Sequence, residues 1–532
     1  MFDLGPGNPH DSANMRARLL AGIVLSGALV ASAQTNAPVA GAGAGAGART
    51  MALQECLDLA LSKNLDLQIE HLSADIAGYN LSGAWGVYVP NLSFGARHDF
   101  LSSPIDIDYK KSGQDYAYEL STDTWTPALS GNLPIGLSYD IGGSADAGFS
   151  RTDFRSNLTV ARSFPPDGIR YTNLYLSDFG LGFKQHLLKD SWIDPYRETI
   201  LLRRKDLKIS AQALRLQVMK TALAVELGFY DLLAAREQIR VQEKALELRR
   251  QLVAETQRRV EVGDLPPLDS EQAQTQLQNT LTALAAAREA YVNRENALKS
   301  LFTDNFMEWV DVDLQPAGAL LAIKADLNRR QSFQNAIRNR PDLAEARLAV
   351  EKSDVVVRFQ KNQLFPNLDL VGRLGGVGDQ ADLVNSLSDT FHFRHPAYFY
   401  GVVVSFPLSN VAERNSYRAS KAARQIANLQ LRKAEQAILV EVADFINQAE
   451  TRFTQVGSTR QARTFAQAAF DAEEKKLQNG LSTTFLVLQM QEALIAARTA
   501  EAQALADYNK ALAQLAFAEG TTLDRHRLRI GR

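Results

Sequence analysis

The chain has 532 residues, with 58 Lys and Arg against 60 Asp and Glu, and a formal net charge of −2. Without a basic excess or a basic domain, the composition argues against a nucleic-acid partner. A single cysteine, Cys56, excludes an intramolecular disulfide framework and a cysteine-rich metal site. The length allows two to four ordinary domains or one very elongated one.

The N-terminus reads as a targeting segment. Arg16 and Arg18 precede an apolar run from Leu19 to Val30, and Ala31-Ser32-Ala33 is an A-x-A cleavage pattern. Residues 1–33 are therefore expected to be a signal peptide, with Met15 as an alternative start. Residues 34–50 read as a flexible Gly/Ala leader, low in complexity. The G-x-G-x-x-A within it follows no strand, so it is no dinucleotide site. No later stretch has eighteen consecutive apolar residues, so any passage through a membrane must use strands closed into a barrel.

Residues 51–89 read as a helix, with Leu53, Leu57, Leu61 and Leu65 repeating every four. It ends before Pro90, since the residue ahead of a proline is pushed towards extended geometry. The period then changes to two: Leu92, Phe94, Ala96 and Phe100 alternate with Asn91, Ser93, Arg97 and Asp99. One face of this strand is apolar and the other polar, as in a sandwich or a water-filled barrel. A returning strand follows around Leu181 and Phe183. Between the two, Ile135, Leu137, Tyr139 and Ile141 alternate with polar or small residues, as do 157–161. An inserted β-hairpin is expected within 101–173, an irregular loop being the alternative; the strands and insert together span 91–188. Residues 196–262 and 268–302 then read as long helices joined at Gly263.

After a linker over 303–328, the pattern repeats. Asp66-Leu67 and Pro90-Asn91-Leu92 recur as Asp342-Leu343 and Pro366-Asn367-Leu368, each shifted by 276 residues; Ala60/Ala336 and Leu72/Leu348 keep this register. Gly263/Gly480, Tyr291/Tyr508 and Leu298/Leu515 share a second shift, of 217. The chain is a duplication: repeat 1 spans 51–302 and repeat 2 spans 329–518. The second copy has a helix at 329–364, strands within 367–409, and helices at 411–479 and 484–518, before a tail at 519–532. Each long tract measures on the order of 100 Å at 1.5 Å per residue. Pro90 to Gly263 exceeds Pro366 to Gly480 by 59 residues, mostly between the first pair of strands.

No HExxH and no GxxxxGK[ST] is present, which leaves metal catalysis and P-loop chemistry without support. No catalytic, cofactor or metal residues are assigned, and the chain is read as a non-enzyme. Tyr230/Phe445 and Tyr291/Tyr508 read as packing residues between helices. His392, Arg394 and His395 read as exposed loop.

The twice-repeated D-L…P-N-L phrase, the strand-to-helix junctions at Phe183–Leu188 and Val404–Leu408, and the V-G and N-G turns at Val262-Gly263 and Asn479-Gly480 resemble the TolC-type outer-membrane channel-tunnel family. The resemblance implies a membrane β-barrel plus a long α-helical barrel. Each protomer would give four strands, so that a homotrimer closes a twelve-stranded barrel in outer-membrane lipid and a coiled-coil-like tube in the periplasm. It implies a passive exit duct working with a periplasmic adaptor protein and an inner-membrane pump, and no cofactor. Adaptor contact falls to the hairpin tips, Gly263, Asp264, Leu265, Gly480, Leu481 and Ser482. Pro90 and Pro366 become the helix-to-strand junctions. The family's aspartates past the second-copy glycine are missing here, where Thr483–Gln489 carries no acid. Asp269 and Glu271 stand in the comparable place in the first copy, as an entrance constriction or as first-turn acids favoured by the helix dipole. A periplasmic coiled-coil adaptor or scaffold without a pore is the alternative; it would not need two amphipathic strand pairs.

Overall fold

A computed structural model describes residues 49–105, 116–153, 169–263 and 265–528. The expected signal peptide, most of the leader, the alternating run at 157–161 and Asp264 lie outside the described residues.

Helices and strands alternate in two unequal copies. In the first, β1 (Arg49–Met51), α1 (Leu53–Lys63) and α2 (Leu65–Trp85) precede four strands, β2 (Asn91–Ile105), β3 (Tyr116–Leu133), β4 (Leu137–Asp153) and β5 (Ile169–His186). Two long helices follow, α3 (Pro195–Glu261) and α4 (Pro267–Phe302). After the short strand β6 (Leu314–Pro316), the second copy holds α5 (Arg329–Asn339), α6 (Pro341–Asn362), β7 (Asn367–Gln380), α7 (Leu383–Phe391), β8 (Pro396–Ser405), α8 (Val411–Gln478), α9 (Thr484–Ala518) and α10 (Thr522–Arg525).

The sheet differs from the four strands expected per protomer. Among the described residues it has six, in the antiparallel order β2-β3-β4-β5-β7-β8. The excess of the first copy supplies the additional pair, β3 and β4. They are full-length strands rather than a peripheral hairpin: β3 has 18 residues and pairs with β2 throughout the 15 residues of that strand. Gly136, at φ 79°, supplies the left-handed residue of the tight β3–β4 turn.

The stretches 51–89 and 329–364 are each broken rather than continuous, at equivalent points. Asn64 and Arg340 both leave the helix in extended conformation, at ψ 127° and 123°. Asn64 caps α2 by accepting from the Leu67 amide at 3.1 Å. Arg340 cannot cap. Pro341 takes the first position of α6, and the Asp342 carboxylate accepts from the Leu343 amide at 2.9 Å. In the first stretch the apolar four-residue spacing runs straight across the break, from Leu61 to Leu65, which is why periodicity shows one helix there.

The leader and the linker are tied together. β1, at the end of the stretch read as flexible, pairs in parallel with β6. Above this pair sits a core of Cys56, Leu57, Phe229, Leu232, Leu298 and Phe302. The second copy repeats it with Ala336, Leu343, Val442, Ile446 and Leu515. Tyr291 and Tyr508 do more than pack between helices. Tyr291 donates to the Leu314 carbonyl at 2.6 Å, and Tyr508 to the Ile323 carbonyl at 2.7 Å. The two equivalent hydroxyls thus hold the two halves of one linker. Burial pushes the Tyr291 phenol up to about 12, so it stays a donor at physiological pH. Buried Glu295 and Lys299, 2.6 Å apart, add bonds to the Leu314 amide and the Val312 carbonyl.

Arg340 is the main polar tie of the second copy. It forks onto Asp342 at 3.1 and 2.7 Å and also reaches Glu441 and the Ala518 carbonyl. Burial alone would lower its pKa, but the Asp342 and Glu441 carboxylates outweigh burial and hold it above the ordinary value. Arg340→Ala leaves two half-buried carboxylates without their cation. It is expected to cost about 2–4 kcal/mol, read as a lowered unfolding midpoint in denaturant, with Arg340→Lys recovering only part.

Candidate functional site

The candidate site is a surface drawn out along the helices, with a sheet at one end and two hairpin tips at the other. Directly paired residues on neighbouring strands share a face, and successive residues alternate. By this register Leu92, Phe94, Leu181, Phe183, Leu374 and Val402 share one face, and all are exposed. Asp140, Asp178, Lys184, Asp369 and Arg373 share the other. There Arg373 bridges Asp140 at 3.2 Å and Asp178 at 3.0 Å, across three strands. Asp369 accepts from Lys184 at 3.1 Å and meets His186 at 2.6 Å. One face suits hydrocarbon and the other water.

Pro90 and Pro366 stand immediately before β2 and β7, where chain direction passes from helix to strand. A collar of hydrogen bonds holds the rim beside Pro366. Gln363 donates to Asp190 at 2.6 Å, the Asp190 amide to Asn362 at 2.7 Å, and the Leu187 amide to the Leu368 carbonyl at 2.8 Å. Asp194 caps α3 through the Arg197 amide at 2.6 Å, with Pro195 beginning the helix.

The tips lie at the far end of α3 and α8, helices of 67 and 68 residues, on the order of 100 Å away. Gly263 and Gly480 occupy the left-handed region at φ 81° and 72°, closing each helix with backbone bonds back to its last turn. Leu481 is exposed, Leu265 and Ser482 half-buried. The Ser482 hydroxyl donates to Glu473, and this bond, with Lys476, holds the Glu473 carboxyl below the usual carboxylate range. The two tips are brought side by side. Arg259 reaches from α3 to the Leu477 carbonyl at 3.3 Å, and Leu248 and Leu252 pack against Phe470, Leu477 and Val487. Asp269 is half-buried in the first turn of α4, and Glu271 is exposed beside it. The structure thus brings the described tip residues together, whereas Pro90 and Pro366 stand at the same rim of the sheet but four strand positions apart, ahead of β2 and β7.

Two features were missed in the sequence. The Arg373–Asp140–Asp178 cluster joins residues 233 and 195 positions apart, which a single sequence cannot pair. Helix α7 lies between strands, in a stretch that the sequence reads as strands and exposed loop. Asp382, followed by Leu383 and Val384, was its signal, an N-cap accepting from the Asn385 amide at 2.9 Å.

The outer membrane efflux protein family matches residues 141–302 and 333–521, one segment in each repeat. The chain belongs to the outer membrane efflux protein family. Among individual relatives, the pyoverdine export outer membrane protein OpmQ of Pseudomonas aeruginosa is 32% identical over 167 residues. That alignment spans 31% of this chain and 33% of the relative. The outer membrane channel CmeC of Campylobacter jejuni superposes with a TM-score of 0.63 at 15% identity, covering 88% of this chain and 86% of that one. The VceC outer membrane protein of Vibrio cholerae superposes at 0.62 and 16% identity, covering 88% and 96%. These superpositions establish a shared fold for this efflux-family chain.

Gly480→Val is expected to cost roughly 1–2 kcal/mol, because a β-branched residue resists the left-handed conformation. The expected outcome is faster proteolytic nicking at 478–484 with an unchanged far-ultraviolet spectrum.

Proposed function

We propose that the chain is one protomer of a trimeric outer-membrane efflux channel, a passive exit duct for small molecules or proteins leaving the periplasm. Membership of the efflux family, with matches in both repeats, supports it. The observation that carries it is the two-faced sheet continuing into paired hairpins. Among the described residues the sheet ends in two open edges, β2 and β8, and open edges are intolerable in hydrocarbon. Pairing of β2 with β8 of the next protomer removes both. With six strands per protomer, three copies give eighteen strands in place of the twelve implied by resemblance.

In this reading the apolar face meets lipid, and Arg373, Asp140 and Asp178 line the water-filled lumen. The helical hairpins extend into the periplasm, where Gly263, Asp264, Leu265, Gly480, Leu481 and Ser482 meet an adaptor protein that couples to an inner-membrane pump. The bond from Arg259 to Leu477 latches neighbouring tips, and its release widens the entrance. A pore-free periplasmic scaffold would have no use for an exposed apolar sheet face.

Fractionation tests the assignment. A heat-modifiable trimer in the outer membrane, with eighteen strands in its density and ion conductance in planar bilayers, is the expected result. Recovery as a soluble periplasmic monomer refutes it. Three copies of Asp269 place negative charge at the entrance, so Asp269→Ala is expected to reduce cation selectivity. Unchanged selectivity would leave Asp269 as a first-turn acid only.

A further inference from the structure

Helix α7 has its polarity inside out. Ser386, Asp389 and Thr390 are buried, whereas Val384 and Phe391 are exposed, as is Phe393 just beyond. The buried side rests on the sheet. Ser177 on β5 bonds to the Ser386 hydroxyl at 2.8 Å and to the Thr390 hydroxyl at 2.6 Å. Phe391 lies against Phe179, with ring centroids 5.1 Å apart. A Cβ at Gly376 would overlap the Thr390 carbonyl, and one at Gly378 the Ser386 carbonyl, so only glycine seats the helix this closely.

The register identifies the face on which it sits. Ser177 pairs with Gly378 and Phe179 with Gly376. Two and four residues along, Leu181 and Phe183 occupy the same face, with Leu374 opposite Leu181. Helix α7 therefore lies on the apolar face of the sheet, over a patch that is small and polar where its surroundings are large and apolar. It meets the patch with Ser386, Asp389 and Thr390, half-buries Leu383 and Leu387, and leaves Val384 and much of Phe391 at the surface. Its single charge, Asp389, has 3% of its side chain exposed and is held by Arg394 at 2.7 Å. Arg394, 66% exposed, stands at the edge of the helix. In water this arrangement would expose apolar surface while burying hydrogen-bonding groups, an unfavourable exchange. Against lipid the exchange is favourable.

We infer that α7 is a membrane-interface helix: it rides on the outside of the barrel near the outer end of β7 and presents Val384, Phe391 and Phe393 to the acyl chains of the surrounding lipid. This rests on the channel reading above. The occupant is lipid because the exposed residues within α7, Val384, Asn385 and Phe391, carry no charge, the exposed charges Asp382 and Arg394 standing at its two ends, and because this side continues the same apolar face as Leu374 and Val402. Arg394 is left at headgroup level, where an anionic lipid can meet it.

Site-directed fluorescence tests this. Cys56 is fully buried and its thiol is pushed up to about 12, so it leaves a single introduced cysteine free to take a maleimide dye. Val384→Cys on α7, Val402→Cys on the sheet and Arg97→Cys on the opposite face are labelled in the full chain. The proteins are then reconstituted into phosphatidylcholine vesicles, with and without nitroxide on the acyl chain. Nitroxide is expected to remove more than half of the emission at Val384→Cys and Val402→Cys and to leave Arg97→Cys nearly unchanged. Quenching at Val402→Cys without quenching at Val384→Cys overturns the inference while the channel stands; a neighbouring protomer covering α7 would give this result. Quenching at neither site overturns the channel reading as well. Phe391→Cys is the second reporter should Val384→Cys fail to assemble, and it is read by the same outcomes.

Discussion

The sheet ends in two rows of backbone groups, on β2 and β8, that no strand among the described residues pairs. Six strands closed within one chain would leave the inward-facing side chains no room, since even eight-stranded barrels are filled by them. The edges must therefore be satisfied by other copies, and the proposed trimer follows from that need. The constraint reaches into the helices. Each end of the sheet core enters a helix at a fixed rim, so copies closing the proposed barrel would also set the hairpins side by side. The polar collar at Asp190, Asn362 and Gln363 makes that transfer stiff.

Much of this was legible in the sequence because duplication amplifies weak signals. A glycine between two helical tracts is ordinary; the same glycine 217 residues later, with tyrosines and leucines in register, marks a hairpin. The break at Asn64 is hidden because the apolar spacing continues through it from Leu61 to Leu65, whereas Pro341 marks the break at Arg340. The repeated Asp-Leu phrase in fact sits in the first turn after each break, where a carboxylate favours the helix start. The work at the helix start has moved between the copies: Asn64 caps the first, whereas in the second Asp342 accepts from the Leu343 amide and binds Arg340.

The strand count was misjudged for a different reason. A resemblance carries over the common plan, and the surplus residues were assigned to an insertion on it. Yet alternation at Ile135–Ile141 was already visible, and a hairpin whose strands equal their neighbours in length cannot remain peripheral. It must enter the ladder, and the sheet grows by two. Helix α7 escaped notice because its pattern is inverted: apolar residues at 383, 384, 387 and 391 suggest a buried face, whereas 384 and 391 point outward. Only the environment decides which side of such a helix is the inside.

The stitching of the chain's far-apart segments governs the order in which the protein can form. Strand β1 finds its partner only at Leu314, and His526 meets buried Glu226 300 residues back. Contacts of such separation are slow to close. Each helical hairpin is local and can zip up alone, but the belt around its middle must wait. As the chain is completed, the first hairpin stands with its waist unfastened until the linker arrives, and the bond of His526 to Glu226 closes after it. A chain stopped short of His526 would hold long helices that look native and a girdle that is not, which makes the belt the place where quality control could distinguish finished protomers from unfinished ones.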